Sequence, residues 1–256
     1  MTNDKKTEYR APALEKGLDI LELLAATPTP LTKKQIAEKL DRSVSEIFRM
    51  LSVLVERKYI EYDNEQSAYS LSLRMFVLSN QHPPIAQMLK RAIPLMEELS
   101  LKVNQSCHLS QYKHGELVVI GAQESPYKMG FGLRLGASLD ICSSGSGIVL
   151  LTFSSEEKRR EILEKTNATE NEIAHALGQV DKTQKDGFYV GPSPQISGVT
   201  NISFPIFGAL GELMAVITIP FMTLNSKTVH HHIEDIEETK HELGNVASQL
   251  SLEKAM

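Results

Sequence analysis

Residues 31–72 read LTKKQIAEKLDRSVSEIFRMLSVLVERKYIEYDNEQSAYSLS, and they decide how the fold is read. Thr32 with Gln35, and Ser43 with Glu46, each make an S/T-x-x-E/Q capping box, which opens a helix by satisfying its first N–H groups. The first helix is expected over residues 33–40, with Ile36, Ala37 and Leu40 on one apolar face. Asp41 and Arg42 break it. The second helix places Ile47, Met50, Leu51, Leu54 and Val55 at helical spacing. Ser45, Arg49, Ser52 and Glu56 fall on its other side. The small Ala37 allows the two helices to cross closely. Residues 59–62 and 68–73 are rich in β-formers and flank a polar turn at 63–67. This is the pattern of a winged helix-turn-helix, whose second helix lies in the DNA major groove. The bland alternative is a helical hairpin with no DNA role, since amphipathic helix pairs are common. The added hairpin favours the winged helix.

Working outward, residues 13–26 read as a helix with Leu14, Leu18, Leu21 and Leu24 on one face. Thr27-Pro28-Thr29-Pro30 ends it, because a residue before proline avoids helical geometry. Residues 1–12 read as a polar arm whose Lys5, Lys6 and Arg10 are solvated sooner than bound to phosphate. Downstream, residues 72–79 look helical. Gln81-His82-Pro83-Pro84 is a break and the best domain boundary. Residues 85–103 form a further helix with Ile93, Met96, Leu99 and Val103 repeating, and Pro94 implies a kink. The expected division is a DNA-binding domain at 1–72, a helical linker at 73–104 and a second domain at 105–256.

The 256 residues fit two domains as a soft prior. An apolar fraction of 41% is ample for two cores. No apolar run approaches the ~20 residues needed to span a bilayer. The polar start, MTNDKKTEYR, argues against a signal peptide. Cys107 and Cys142 do not make a disulfide framework, and buried thiols are preferred over a redox pair. A cytoplasmic protein with no membrane partner is expected. The net charge of −5 suits a DNA binder poorly, but it is unevenly spread. Residues 1–80 hold 12 of the 27 Lys+Arg and 12 of the 32 Asp+Glu, so the acidity lies outside the helix-turn-helix. Affinity for DNA must then lean on a few placed cations, doubled in a dimer, more than on a broad field.

The second domain opens with strands at 106–112 and 116–123 around a Lys113-His114-Gly115 turn. Residues 128–135 are a further candidate strand. An apolar helix is expected over 148–153. Helices at 154–164 and 169–185 are opened by the boxes Ser154/Glu157 and Thr169/Glu172. Strands are expected at 199–207 and 212–220. A final helix at 226–250 has Val229, Ile233, Ile236, Leu243, Val246 and Leu250 inward. Helices packed on a largely antiparallel sheet make this an α+β domain.

ICSSGSGIVLL, residues 141–151, is its most informative stretch. Small residues ahead of an apolar helix leave N–H groups and the helix dipole open to an anion. The alternative is an N-cap with close packing, which the stretch alone favours slightly. It is neither G-x-G-x-x-G, Walker A nor G-x-S-x-G, so it supports neither nucleotide binding nor hydrolysis. His230-His231-His232 point about 100° apart on a helix and cannot converge on one ion. His231 with Asp235 makes only two ligands. No metal, no cofactor and no catalytic residue is therefore expected, and nothing presents a nucleophile and base as an enzyme would.

On the recognition helix, Arg49 is the best base-reading candidate. Glu46 has two readings, a cytosine acceptor or the partner of Ser43 in the capping box, and the cap is favoured. Phe48 is open between a thymine-methyl contact and a boundary core position. Lys33 or Lys34, on the preceding helix, is placed for phosphate.

The chain resembles the IclR family of bacterial transcriptional regulators. The resemblance is carried by ALEKGLDILELLA (13–25), LTKKQIAEKL (31–40), RMLSVLVERKYIEYD (49–63) and YSLSLRMFVLS (69–79). It continues in LGASLDICSSGSGIVLL (135–151), KDGFYVG (185–191) and GELMAVITIP (211–220). It implies a winged helix joined by a helical linker to a GAF-like effector domain. It further implies a homodimer or tetramer on a double-stranded operator, responding to a small organic or aromatic carboxylate. The DNA-facing positions expected are Lys33, Lys34, Val44, Ser45, Glu46, Phe48 and Arg49. Val44 and Glu46 stand where the family commonly has Lys and Thr. The effector-facing positions it implies are Met129, Phe131, Leu139, Ser144, Gly145, Ser146, Asn201, Thr218 and Pro220. Pro220 replaces the usual serine, and GPSPQ at 191–195 replaces the usual acidic segment. The competing hypothesis is a sensory or catalytic domain whose helix-turn-helix serves only dimerisation.

Overall fold

The computed structural model describes residues 11–81, 83–127, 130–223 and 235–252. The polar arm at 1–10, Met129, the triple histidine at 230–232, and Val229 and Ile233 lie outside them. The chain divides into two compact units, residues 1–83 and 84–256.

In the first unit, α1 (Pro12–Ala25) leads to β1 (Leu31–Thr32), α2 (Lys33–Lys39) and α3 (Val44–Glu56), followed by β2 (Ile60–Asp63), β3 (Ala68–Leu71) and α4 (Arg74–Asn80). Both expected capping boxes form, at Thr32/Gln35 and Ser43/Glu46. Ile36 and Ala37 of α2 and Ile47 and Leu51 of α3 are buried together with Ile60, so the two helices close over one core. The leucine stripe of α1 splits. Ile20 and Leu24 enter the core, while Leu14 and Leu18 are 62% and 47% exposed. The hairpin carries a third strand that the sequence did not announce. β1 pairs with β3, Leu31 opposite Tyr69, and two residues are too few to show a period.

The second unit contains α5 (Pro83–Val103), β4 (Cys107–Lys113), β5 (Glu116–Gln123), β6 (Ser138–Leu139), α6 (Gly145–Phe153), α7 (Glu156–Lys165), α8 (Glu170–Asp186), β7 (Tyr189–Pro192), β8 (Val199–Phe207), β9 (Leu213–Met222) and α9 (Ile236–Leu250). The six strands form one antiparallel sheet in the order β6-β5-β4-β9-β8-β7. Successive strand residues face opposite sides, and here both sides are covered. Cys107, Leu109, Ile202, Ile217 and Ile219 face α5 and α9, packing on Ala92, Met96, Leu99 and Leu243. Leu117 and Val119 of β5 pack with Leu150 and Leu151 of α6, Ile162 of α7 and Ala176 of α8. Val216 of β9 meets Ile148 and Val149 of α6. The architecture is α+β and GAF-like.

Four expectations change. No strand forms over residues 130–135; residues 136–139 take the β5 edge instead, with Gly136 N donating to Val119 O at 2.8 Å. Gly136 holds φ at +80°, the left-handed turn that brings the chain back to that edge. An additional edge strand, β7, pairs with β8. Helix α6 begins at Gly145, three residues before its apolar run. The cap of α7 is Ser155, accepting from Lys158 N at 3.2 Å, while Ser154 closes α6.

Candidate nucleic-acid interface and effector cavity

Helix α3 presents Val44, Ser45, Phe48 and Arg49 to solvent. They lie at i, i+1, i+4 and i+5, so they share one face. Ser52 extends that face, its hydroxyl donating to Phe48 O at 3.0 Å. Phe48 is 52% exposed, so it is not a core residue. The Lys33 ammonium sits 5.0 Å from the Phe48 ring centroid, bringing the start of α2 to the outer face of α3. Lys34 lies 3.8 Å from Glu38 with both groups exposed, a contact of little energetic weight. Arg49 has no ion-pair partner among the described residues.

Glu46 is exposed, but its carboxylate is engaged within its own domain. Its Oε2 accepts from Ser43 N at 2.9 Å and Ser43 Oγ at 2.8 Å, and its Oε1 accepts from Lys16 Nζ at 3.1 Å. The Ser43 bonds, then Lys16, hold its carboxyl down at about 2. The sequence reading missed Lys16, which lies on α1 and gives no local signal. The wing carries Glu61, Asp63 and Glu65 and no Lys or Arg over residues 59–73. Asp63 Oδ1 accepts from Glu65 N at 2.7 Å and Gln66 N at 3.1 Å, which shapes the turn.

In the second unit, register aligns a polar row across three strands. His108 of β4 is opposite Thr218 of β9, and Thr218 is opposite Ser203 of β8. Cross-strand partners share a face, so all three look toward α6. The start of α6 presses onto this row. A Cβ on Gly145 would come within 2.6 Å of Ser203 Oγ, and one on Gly147 within 2.0 Å of the Ile141 carbonyl oxygen. Only glycine permits that approach. Ser144 caps the helix, accepting from Gly147 N at 3.0 Å and donating to Asp140 O at 2.5 Å. Asp140 Oδ1 accepts from Cys142 N at 2.9 Å and Ser143 N at 2.8 Å, fixing the turn before the cap. Ser146 Oγ lies 2.9 Å from Thr218 Oγ1, and Thr218 Oγ1 donates to Ser203 Oγ at 2.8 Å.

A narrow cavity of about 20 Å³ lies where these groups meet. Phe131, Leu139, Ser144, Gly145, Ser146, Asn201, Thr218 and Pro220 line it. It thus gathers all the expected effector-facing residues except Met129, which lies outside the described residues. The sequence reading missed His108, Leu133, Ser193, Pro194 and Gln195. Alternation along residues 107–113 would have put His108 on the cavity face. His108 is buried, its Nδ1 has no hydrogen-bond partner among the described residues, and burial holds its pKa down at about 4. Wider grooves of about 890 Å³ beside α9 and about 570 Å³ beside α7 are lined in part by charged side chains, Lys240 with Glu237 and Lys158 with Glu212. The smaller cavity differs from both in lying beneath the start of α6.

Cys107 and Cys142 are buried free thiols, and burial pushes Cys107 up to about 12. Among the described residues, no three His, Cys, Asp or Glu are placed to hold a metal ion. No helix among them is long and apolar enough to cross a membrane.

Two sequence families match. The IclR helix-turn-helix domain covers residues 13–64, and the bacterial transcriptional regulator IclR C-terminal domain covers 84–252. The HTH-type transcriptional regulator KdgR of Dickeya chrysanthemi is 25% identical over 205 residues, covering 77% of this chain and 67% of its own. The HTH-type transcriptional repressor AllR of Salmonella typhi is 25% identical over 215 residues, covering 82% and 79%. The fold is also that of an IclR homolog from Microbacterium hydrocarbonoxydans solved in complex with 4-hydroxybenzoate, with a TM-score of 0.75 at 19% identity, covering 93% of this chain and 97% of that one.

Proposed function

The chain belongs to the IclR family of bacterial transcriptional regulators, and from that membership we propose how it recognises its operator and its effector. It is a DNA-binding regulator with a C-terminal effector domain; the residues and the ligand are the proposal. The working division is 1–72 for DNA binding, 73–104 for the linker and 105–256 for the effector, in a cytoplasmic homodimer or tetramer.

Helix α3 enters the major groove of a double-stranded operator. Arg49 reads a base edge, with Ser45, Val44 and Phe48 beside it. Lys33 and Lys34 meet phosphate. Glu46 acts from within, holding the helix start. The observation that carries this reading is Arg49, exposed and without an ion-pair partner among the described residues, on the same face as exposed Phe48 and Val44.

The effector is a small organic or aromatic acid. Its carboxylate meets the first N–H groups of α6, which have no acceptor within the helix. Phe131 and Leu139 supply an apolar wall, and Asn201 and Thr218 supply hydrogen bonds. A relative solved with 4-hydroxybenzoate supports this class. A space of about 20 Å³ holds little more than one water, so an aromatic acid requires the walls at residues 131–133 and 193–195 to part.

The test is fluorescence anisotropy with the DNA upstream of the protein's own gene, with and without a panel of acids. Specific, salt-sensitive binding that at least one acid alters is expected. Binding that ignores both DNA sequence and every acid sinks the reading, and returns the helix-turn-helix to a dimerisation role.

A further inference from the structure

Over residues 44–53, helix α3 exposes the polar side chains of Ser45, Glu46, Arg49 and Ser52. Most of that polar capacity is spent within the domain. Glu46 is held by Ser43 and Lys16. Ser43 Oγ gives its proton to Glu46 Oε2 at 2.8 Å, so the proton in its 3.1 Å contact with Ser45 Oγ comes from Ser45. Ser52 Oγ donates to the Phe48 carbonyl at 3.0 Å. Arg49 is the contrast, with no ion-pair partner among the described residues. The rest of the exposed face is apolar. Val44, Phe48 and Val53 are 39%, 52% and 50% exposed. Val44 and Phe48 are four residues apart and so share one edge of the helix. On that edge the Lys33 ammonium stands 5.0 Å from the centroid of the Phe48 ring.

We propose that Phe48, with Val44 beside it, reads thymine through its C5-methyl group, so that each half-site carries a thymine specified without a hydrogen bond. This rests on the entry of α3 into the major groove. Every base pair presents donors and acceptors there, and thymine adds a methyl group. With the serine protons and Glu46 committed to the helix itself, the face away from Arg49 has mainly apolar surface with which to tell bases apart. A half-exposed phenyl ring gains by covering a methyl group. Against the amino group of cytosine it would strip water from a donor that it cannot pair. The preference is therefore two-sided, with thymine favoured and cytosine penalised. The cation beside the ring restricts its motion before the duplex arrives, which lowers the cost of ordering it on binding.

The experiment starts from duplexes selected out of a random pool by the full-length wild-type protein. In the selected site each thymine is replaced in turn by deoxyuridine, which removes the methyl group and leaves the hydrogen-bonding edge intact. At least one replacement per half-site should weaken wild-type binding about three- to tenfold, as expected for one buried methyl group. Phe48→Ala should bind the thymine and deoxyuridine sites alike at that position. Phe48→Leu should keep part of the difference. The preference set by Arg49 should stand in both variants. Phe48 is exposed, so both should melt with the wild type, and the wild-type series is decisive without them. Deoxyuridine without effect at every position overturns the proposal, as does a methyl effect that persists in Phe48→Ala. A changed oligomeric state in Phe48→Ala, with deoxyuridine neutral, assigns the ring to a protein partner and overturns it too. A pool that yields no enriched sequence overturns the entry of α3 into the groove and this proposal with it. That outcome is distinct from an enriched site whose methyl groups do not matter.

Discussion

Lys16 Nζ lies 3.1 Å from Glu46 Oε1 while Glu46 Oε2 is held by Ser43, so a single carboxylate ties the start of the recognition helix to α1. The N-cap and the domain core are thereby secured by one residue. Ser43→Ala removes the capping hydroxyl and should cost about 1 kcal/mol in chemical unfolding. The ratio of specific to non-specific DNA binding should stay within twofold. A large fall in that ratio with unchanged stability would show that Ser43 or Glu46 reads the operator.

Arg49 and Lys33 should fail differently. Arg49→Ala should weaken the specific site by about 1–3 kcal/mol and relax preference at one position per half-site. Lys33→Ala should weaken all sequences alike and flatten the salt dependence by about one unit of slope. Competition binding against single-base variants separates the two. An unchanged specificity ratio in Arg49→Ala refutes its assignment.

The wing is acidic where phosphate lies near in a winged-helix complex. Glu65→Lys should therefore strengthen binding to every duplex and steepen the salt dependence by about one to two units. Anisotropy titrations at several salt concentrations measure it. No change in either quantity would place the wing tip away from the backbone.

Two helical glycines should respond in opposite directions to alanine. Gly147→Ala sets a Cβ 2.0 Å from the Ile141 carbonyl oxygen and should destabilise by about 1–3 kcal/mol or more. At Gly178 of α8 an added Cβ meets nothing within 4 Å, so Gly178→Ala should stabilise by about 0.5–1 kcal/mol. Paired thermal melts decide it, and melting points that shift the same way would contradict the packing described here.

His108 makes stability depend on pH. Its folded pKa, about 4, lies below the ordinary 6.5, so the unfolded chain binds the extra proton between those values. Stability should be full above pH 6.5 and fall as pH drops toward 4, by roughly 3 kcal/mol for this group. His108→Asn should remove that part of the slope. Urea titrations from pH 7.5 to 4.5 test it, and identical slopes in the two proteins would remove His108 as the cause.

The helix-turn-helix was legible because its signals are local. Ser43 and Glu46 are three residues apart, and Ile47 and Leu51 four. The contact of Lys16 with Glu46 spans 30 residues and left no such trace. The strands of the second unit were legible where long, as at 199–207, and illegible at 189–192, where four residues ending in Pro192 show no alternation. The alternating apolar pattern at 128–135 misled because two of the positions between its apolar residues are Gly130 and Gly132, which weaken a strand. In the cavity, the small-residue run at 143–147 was visible as a close approach. Alternation along 107–113 could place His108 on one face of its strand, but only the register with Thr218 shows that this face borders the cavity.

Leu109 and His108 are joined by one peptide bond, yet Leu109 packs among the side chains under α5 while His108 borders the cavity. The same holds on β9, where Ile217 and Ile219 flank Thr218. Interiors packed at crystal density do not let one face of a strand move while the other stays. A ligand that displaces His108 and Thr218 by a fraction of an ångström therefore displaces the bed on which α5 rests. The sheet is a thin diaphragm, with the cavity on one side and α5 on the other.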